Sequence, residues 1–540
     1  MTMENAKSGR QNNKTAVASP WSPLQIPLFR SLWCVTIISN VGTWMHDVGA
    51  GWLMTSLAPS PVMVALIQTA TTLPIFLLAM PAGALADIFD RRRYLITALM
   101  WMMMVAGVLG ILTLNGVTNA WILVALTFAM GIGTAMMLPA WAAVTPEIVP
   151  RSELQRAISL NSMGMNVARA IGPALAGIII SMAGSGAVFI INSISFLFVV
   201  AVLWRWRRVP TSSSLPAERF LSALKSGVRF ARHSTTLHAT LVRNVGFFLF
   251  TSALWALLPL VARQLLGGGP QTFGALVASI GTGAVLGALL LPRLRSRFSS
   301  NQLVTGATVL FSCAMIAIAY LHQLALSMAA MALCGVAWIS VISSLQVAAQ
   351  MALPDWVRSR GLAVFMTILM GSMAAGSLLW GKVAAQTSIP FALVTAAAGA
   401  IIAALLTWRW SISNIENIDL TPSMHWTTPL THDRVTHDRA PVMVLVHYHV
   451  KADKQAEFMT TIHELGQIRR RDGAYAWDVL EDAEKPGYYL EYYMVESWLE
   501  HLRQHERVTN ADQLLQERLR RLLVDNQSPP VTHFVGPNTL

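Results

Sequence analysis

The feature that most constrains this chain is a succession of apolar stretches, each about twenty residues long. A helix needs about 20 residues to cross ~30 Å of hydrocarbon. Twelve stretches qualify: 29–55, 61–85, 94–114, 119–143, 157–181 and 186–206, then 236–261, 272–292, 301–321, 324–350, 361–384 and 389–409. Connections such as 115–119 and 183–185 are very short, as helical hairpins in a bundle require. The chain is 54% hydrophobic and 12% charged, where soluble domains carry about 25% charge. With a mean hydropathy of +0.51, global disorder and an ordinary soluble enzyme are both excluded. The sequence therefore predicts an all-α polytopic membrane protein with 12 transmembrane helices, followed by a smaller soluble part.

Charge divides the chain in two. Residues 1–410 hold 26 Lys and Arg against 8 Asp and Glu, whereas 411–540 hold 13 against 19. If the N-terminus is cytoplasmic, 22 of those 26 basic residues fall on inside connections, including Arg91, Arg92, Arg93, Arg151, Arg156, Arg358 and Arg360. Only Arg263 and Lys382 fall outside, and Arg169 and Arg243 lie within spans. Basic residues collect on cytoplasmic loops, so both ends are expected in the cytoplasm, with the body in the inner (plasma) membrane. The positive charge reads as an orientation signal facing lipid head groups, and no nucleic-acid partner is expected. No cleavable leader is expected, because the first 27 residues are polar with Pro20, Pro23 and Pro27. Cys34, Cys313 and Cys334 sit singly in apolar segments, so neither a disulfide framework nor a metal site is expected.

The body repeats itself at an offset of 204 residues. Asn40-Val41-Gly42 recurs as Asn244-Val245-Gly246, Gly83 as Gly287, and Arg91 and Arg93 as Arg295 and Arg297. Gly131, Pro150, Arg156, Gly172 and Gly177 recur as Gly335, Pro354, Arg360, Gly376 and Gly381. Trp204-Arg205-Trp206 recurs as Trp408-Arg409-Trp410. Six spans per half insert both halves in the same sense. That gives two parallel six-helix repeats, with a substrate site expected between them near mid-membrane.

Residues 83–93, Gly83-Ala84-Leu85-Ala86-Asp87-Ile88-Phe89-Asp90-Arg91-Arg92-Arg93, connect the second and third spans. This segment resembles the loop signature of the major facilitator superfamily. In that family the loop latches the halves on the cytoplasmic side, which implies a gating role for Gly83, Asp87, Arg91, Arg92 and Arg93. The second-half copy has Leu291 where Asp87 would recur, so the latch is expected to be one-sided. Gly164 and Gly172-Pro173-Ala174-Leu175-Ala176-Gly177 in the fifth span resemble the antiporter motif of major facilitator exporters. Small residues let helices touch and Pro173 bends one, and the resemblance assigns Gly164, Gly172, Pro173 and Gly177 to conformational gating. Glu147-Ile148-Val149-Pro150 together with Leu160-Asn161 is similar to the transmembrane secretion effector branch, which includes enterobactin exporters. Thr127 stands where drug/proton antiporters of the superfamily carry an Arg, so proton coupling through that position is not expected.

Ionisable groups inside a membrane are costly and are functional candidates by default. Asp47, in Trp44-Met45-His46-Asp47-Val48, is the one carboxylate deep in a span. It is a candidate for proton or substrate coupling; the alternative is a hydrated carboxylate at the outer mouth. Arg169 lies about 18 Å into the fifth span, where it can meet an anionic substrate, pair with Asp47, or hold backbone carbonyls. Arg243 lies nearer the cytoplasmic side, and snorkelling is its expected role. The abundant Met residues, 27 in all, are expected mainly to pack or face lipid, with an adaptable pocket as the lesser reading.

Beyond the body, 411–440 reads as a linker containing the near-duplicates Thr431-His432-Asp433-Arg434 and Thr436-His437-Asp438-Arg439. From 442 the pattern is strand (442–450), helix (453–471), two strands (474–481 and 488–495) around Lys485-Pro486-Gly487, helices (497–505 and 511–523) and a last strand (531–535). That β-α-β-β-α-β order is a ferredoxin-like α+β sandwich. It resembles the dimeric α+β barrel group, which includes cofactor-independent antibiotic-biosynthesis monooxygenases. His447, His449, Trp498, His501 and His505 are its candidate polar residues, although Trp498, His501 and His505 fit a packed helix face equally well.

The expected organisation is a cytoplasmic tail 1–27, a first half 28–208, a central loop 209–235, a second half 236–410, a linker 411–440 and a cytoplasmic ferredoxin-like domain 441–540. The expected function is proton-coupled efflux of a small amphiphilic compound (a drug, siderophore or other metabolite) by alternating access. The alternatives are an uptake transporter of the same fold, or an exporter fused to a monooxygenase-like domain. The expected partners are that small molecule, the proton and membrane lipid, with dimerisation through the C-terminal domain. No enzymatic activity of the body and no cofactor are expected.

Overall fold

The computed structural model describes residues 19–206, 220–354, 356–412, 421, 423, 426 and 440–536. The duplicated Thr-His-Asp-Arg segments at 431–439 lie outside the described residues. In the first part of the chain, long helices follow one another: α1 (Pro27–Leu57), α2 (Pro61–Ile88), α3 (Arg91–Leu114), α4 (Ala120–Ile148) and α5 (Leu154–Arg205). A shorter helix, α6 (Phe220–His233), leads into α7 (Thr235–Leu260), α8 (Pro270–Arg295), α9 (Ser300–Tyr320), α10 (Leu324–Met351), α11 (Arg358–Gln386) and α12 (Ile389–Leu406). Local chemistry sets the starts. Pro opens α1, α2 and α8, where its missing N–H costs nothing. Asn119, Ser299 and Ser388 accept from the first free amides of α4, α9 and α12.

Among the described residues, ten helical stretches are long and apolar enough to cross a membrane. Helix α1 is not among the ten, because Asn40, His46 and Asp47 dilute it. Helix α5 counts as one stretch, yet its 52 residues would run about 78 Å. Gly184 breaks it with φ 76° and ψ 171°, a conformation outside the helical region. The outward faces carry large exposed apolar side chains such as Trp121, Met182, Leu289 and Leu405, as a surface bathed in lipid requires.

Packing divides the helices into two groups. In the first, α5 lies against α1 and α3, and α4 against α2 and α3. In the second, α11 lies against α7, α10 against α8 and α9, and α12 against α7 and α9. The groups meet along α5 with α8 and α2 with α11. Those seams are lined by glycines. A Cβ on Gly281 would stand 2.6 Å from the Arg169 carbonyl oxygen, and one on Gly177 would stand 2.8 Å from that of Pro270.

The C-terminal domain begins with β1 (Val442–His449) and α13 (Gln455–Asp472), followed by β2 (Ala476–Glu481) and β3 (Tyr488–Val495). Helices α14 (Trp498–Arg507) and α15 (Asn510–Arg521) then lead to β4 (Val531–Val535). The sheet is antiparallel in the order β2-β3-β1-β4, the arrangement of a split β-α-β unit. One face buries Val442, Val444, Val446, Tyr489 and Tyr493 with Phe458, Ile462 and Leu465 of α13. Glu491 is fully buried on that face. It accepts from Arg469 Nε (3.1 Å), Trp477 Nε1 (2.9 Å) and Tyr448 Oη (2.7 Å). Burial, and next the Glu491 charge, push the Tyr448 phenol well above its ordinary range.

This domain sits on the body. Arg229 of α6 reaches Glu500 at 3.2 Å, and Arg507 reaches the same carboxylate at 2.6 Å. The Arg507 guanidinium lies 4.3 Å from the ring of Trp356, just before α11, and that of Arg471 lies 5.6 Å from Phe230 of α6. Helix α6 in turn packs on α11, with Gly227 against Arg360.

Candidate functional site: a charged cavity between the two helix groups

A cavity of about 260 Å³ lies where the two groups meet. The first group contributes Trp44 and Asp47 from α1, Gln68, Thr71 and Thr72 from α2, and Arg169 from α5. The second contributes Trp255 and Pro259 from α7, Phe273 and Val277 from α8, Trp338 from α10, and Met370 and Met373 from α11. The lining is aromatic and thioether surface around a few polar groups, the usual make-up of a site for an organic molecule.

Asp47 and Arg169, the two deep charges of the sequence, face this one cavity. Among the described residues Asp47 forms no hydrogen bond or ion pair, and it is exposed to the cavity. Arg169 Nε is buried without a hydrogen-bond partner, and its guanidinium lies 5.5 Å from the ring of Trp44. Gly172 makes that stacking geometry available. A Cβ there would stand 2.7 Å from Trp44 Cβ and 3.0 Å from the Val41 carbonyl oxygen, so only a bare α-carbon lets α1 and α5 close. Beside Asp47 in the chain, His46 points elsewhere: it is 1% exposed, lies against Phe189 at 4.8 Å, and neither ring nitrogen has a partner.

The other sequence candidates fall into separate places. Gly164 packs on Ile37, and Pro173 is buried in α5 beside the α8 seam. A Cβ on Gly83 would stand about 4.0 Å from Pro139 Cβ, an ordinary contact. Arg91 pairs with Glu147 of α4 at 2.7 Å. Arg92 donates to the carbonyls of Leu203 (2.8 Å) and Trp204 at the end of α5. The amide of Arg93 is capped by Asp90 at 2.9 Å. The side chain of Asp87 lies outside the described residues. Arg243 is buried and donates to the carbonyls of Trp410 (3.0 Å) and Thr407 (3.3 Å), so it closes the end of α12 rather than snorkelling.

In the C-terminal domain, His447 and His449 line a second cavity of about 610 Å³ with Tyr488, Glu481 and Asp525. Trp498, His501 and His505 pack elsewhere, together with His533. Burial first, then the neighbouring His533 and His505, push the His501 imidazole down to about 3. No group of three or more metal-ligating side chains is placed to hold an ion among the described residues.

Sequence reasoning missed the cavity's second-half lining. Trp255, Trp338, Met370 and Met373 lie in uncharged, largely apolar runs, where nothing separates a cavity face from a lipid face.

Three similarities bear on this architecture. The staphyloferrin A transporter of Staphylococcus aureus is 23% identical over 63% of this chain and 85% of its own length. The enterobactin exporter EntS of Salmonella typhimurium is 25% identical over 59% of this chain and 76% of its own length. Among solved structures, a bacterial homologue of the human lysosomal transporter Spinster superposes with a TM-score of 0.57 at 15% identity, over 73% of this chain and 98% of that one. That likeness identifies the fold of the helical body as the one shared with this transporter. Residues 18–539 match the family described as transmembrane secretion effector. The chain belongs to the transmembrane secretion effector family.

Proposed function

We propose that this protein is a proton-coupled exporter of a small amphiphilic compound, working by alternating access. The observation that carries this reading is the meeting of Asp47 and Arg169 in one aromatic cavity at the junction of the two helix groups. A lone carboxylate open to the cavity can take a proton on one side and release it on the other, provided that access alternates. Arg169, held over Trp44, supplies a cation that can attract Asp47 once the proton has left, or an anionic group of the substrate. Two relatives are named for siderophores, which supports that class of cargo.

The twelve-crossing, two-repeat reading fits the same account. Helix α5 counts as two crossings around Gly184 and α1 as one, and equivalent pairs (α1 with α5 and α7 with α11; α2 with α4 and α8 with α10) then pack alike. The cross-contacts α5 with α8 and α2 with α11 exchange under that relation. In this reading Gly164, Gly172, Pro173 and Gly177 serve conformational gating by letting α5 pack closely on α1 and α8. Gly83, Asp87, Arg91, Arg92 and Arg93 shape the loop between α2 and α3. In this reading the body lies in a bacterial inner membrane with both chain ends in the cytoplasm, a placement that the basic loops support. The ferredoxin-like domain is then a cytoplasmic binding or dimerisation module.

Transport in everted membrane vesicles tests the proposal. With an imposed pH gradient, vesicles holding the protein accumulate a siderophore or drug from a panel, and collapsing the gradient stops it. Accumulation in right-side-out vesicles alone makes the protein an uptake transporter. Turnover of the panel by the full chain without transport assigns the activity to the C-terminal domain.

A further inference from the structure

At the end of the body away from the C-terminal domain, one basic residue bridges the two helix groups. Helix α7 closes with Pro259 and passes into a π-helical turn, Val261–Leu265. That turn is fixed by Leu266 N–H donating to the Val261 carbonyl (3.1 Å) and Gly268 N–H to that of Ala262 (2.9 Å). A π-turn holds one residue more than the α-helix would, which rotates the side chains on it, and such turns recur at functional positions. Here the rotation delivers Arg263 to the last turn of α1.

Arg263 Nη1 donates to Thr55 Oγ1 (2.9 Å) and Ser56 Oγ (2.8 Å), and its guanidinium lies 5.6 Å from the ring of Trp52. Thr55 is buried and spends its own hydroxyl proton on the Trp52 carbonyl (2.7 Å), leaving its lone pairs for Arg263. The cation also sits at the carbonyl end of α1, where a positive charge is favoured. Trp52 stacks on Phe273, which lines the central cavity, with ring centroids 6.3 Å apart. At the same end, Gln271 Nε2 donates to Ser181 Oγ (3.0 Å) and Gly177 lies against the Pro270 carbonyl.

We propose that Arg263 is the positioning residue of a gate closing this end of the cavity, with Trp52 and Phe273 as its door. The inference rests on the alternating-access reading above. All its contacts join the first group to the second, so they exist only while this end is closed. Removing them destabilises the closed state relative to the open one, and populations follow.

The test places one thiol at a half-buried position of the cavity wall (Met370→Cys, with Cys34→Ser, Cys313→Ser and Cys334→Ala) in the full chain. A membrane-impermeant maleimide is applied from either side, and transport by this parent is measured in parallel. Arg263→Ala raises labelling from the α1 C-terminal side by roughly three- to tenfold, the range of one ordinary net hydrogen bond, and lowers it from the other side. Arg263→Lys gives an intermediate value. Thr55→Val with Ser56→Ala shifts labelling in the same direction, and decides alone if Arg263→Ala fails to reach the membrane. Unchanged labelling from the α1 side in a parent that transports overturns the gate while leaving the transporter reading intact. Wild-type protein that transports no compound in the vesicle assay contradicts the transporter reading itself.

Discussion

Glu491 shows what a single buried group contributes in the C-terminal domain. Its carboxylate meets Arg469, Trp477 and Tyr448 with no exposure to water. Glu491→Ala strands the Arg469 charge in the core and is expected to cost about 3–5 kcal/mol. The loss is read as faster hydrogen exchange across β1 and β3 of the full-length protein. His501 makes the domain sensitive to acid. Its imidazole is pushed from 6.5 to about 3 by burial and by two neighbouring histidines, so below pH 6.5 the unfolded chain binds the proton that the folded chain refuses. Stability is complete above pH 6.5 and falls as pH drops toward 3, by up to about 5 kcal/mol. The free energy of hydrogen exchange in α14, corrected for the intrinsic rates at pH 7 and pH 5, measures this, and His501→Phe reduces the difference. Asp47 and Arg169 were legible in the sequence because a charge in an apolar run is rare and costly. Arg263 was not, because a basic residue near the end of a span reads as a loop charge until the π-turn is seen to aim it at α1. The spacing of Trp498, His501 and His505 left packing and catalysis equally open; the structure packs Trp498 and His501 in the domain interior.

At the level of elements, the α5–α8 seam depends on the absence of side chains. A leucine at Gly281 would drive its Cβ to within 2.6 Å of the Arg169 carbonyl oxygen, forcing the helices apart or shifting Arg169 from the cavity. Gly281→Leu is expected to abolish transport with the protein still in the membrane. The control is Gly306→Ala in α9, where a Cβ meets nothing within 4 Å; it leaves transport intact and steadies the helix by about 0.5–1 kcal/mol. Helix positions were the most legible part of the fold, since hydrophobic length alone sets them. The continuity of α5 through 183–185 was not: a connection this short lets the backbone stay helical up to a single glycine. The strands of the C-terminal domain followed from alternation, and the antiparallel order β2-β3-β1-β4 from the helix placed between β1 and β2.

For the whole molecule, the charge asymmetry of the sequence sets the helical body apart from the C-terminal domain, but nothing in it foretells their docking. The joint brings together Arg229, Trp356, and Glu500 and Arg507 of α14, residues from three distant stretches whose spacing carries no pattern. Glu500 is the shared acceptor, so Glu500→Ala is expected to loosen the domain from α6 and α11. Hydrogen exchange in α6 then rises while that of the β-sheet is preserved. The transport account rests on a narrower point, that the proton travels on Asp47. The most direct measurement is proton release on adding a transported compound to the detergent-solubilised, weakly buffered protein. The account predicts release by the wild type and none by Asp47→Asn, with the variant still binding the compound. Equal release by both would contradict it.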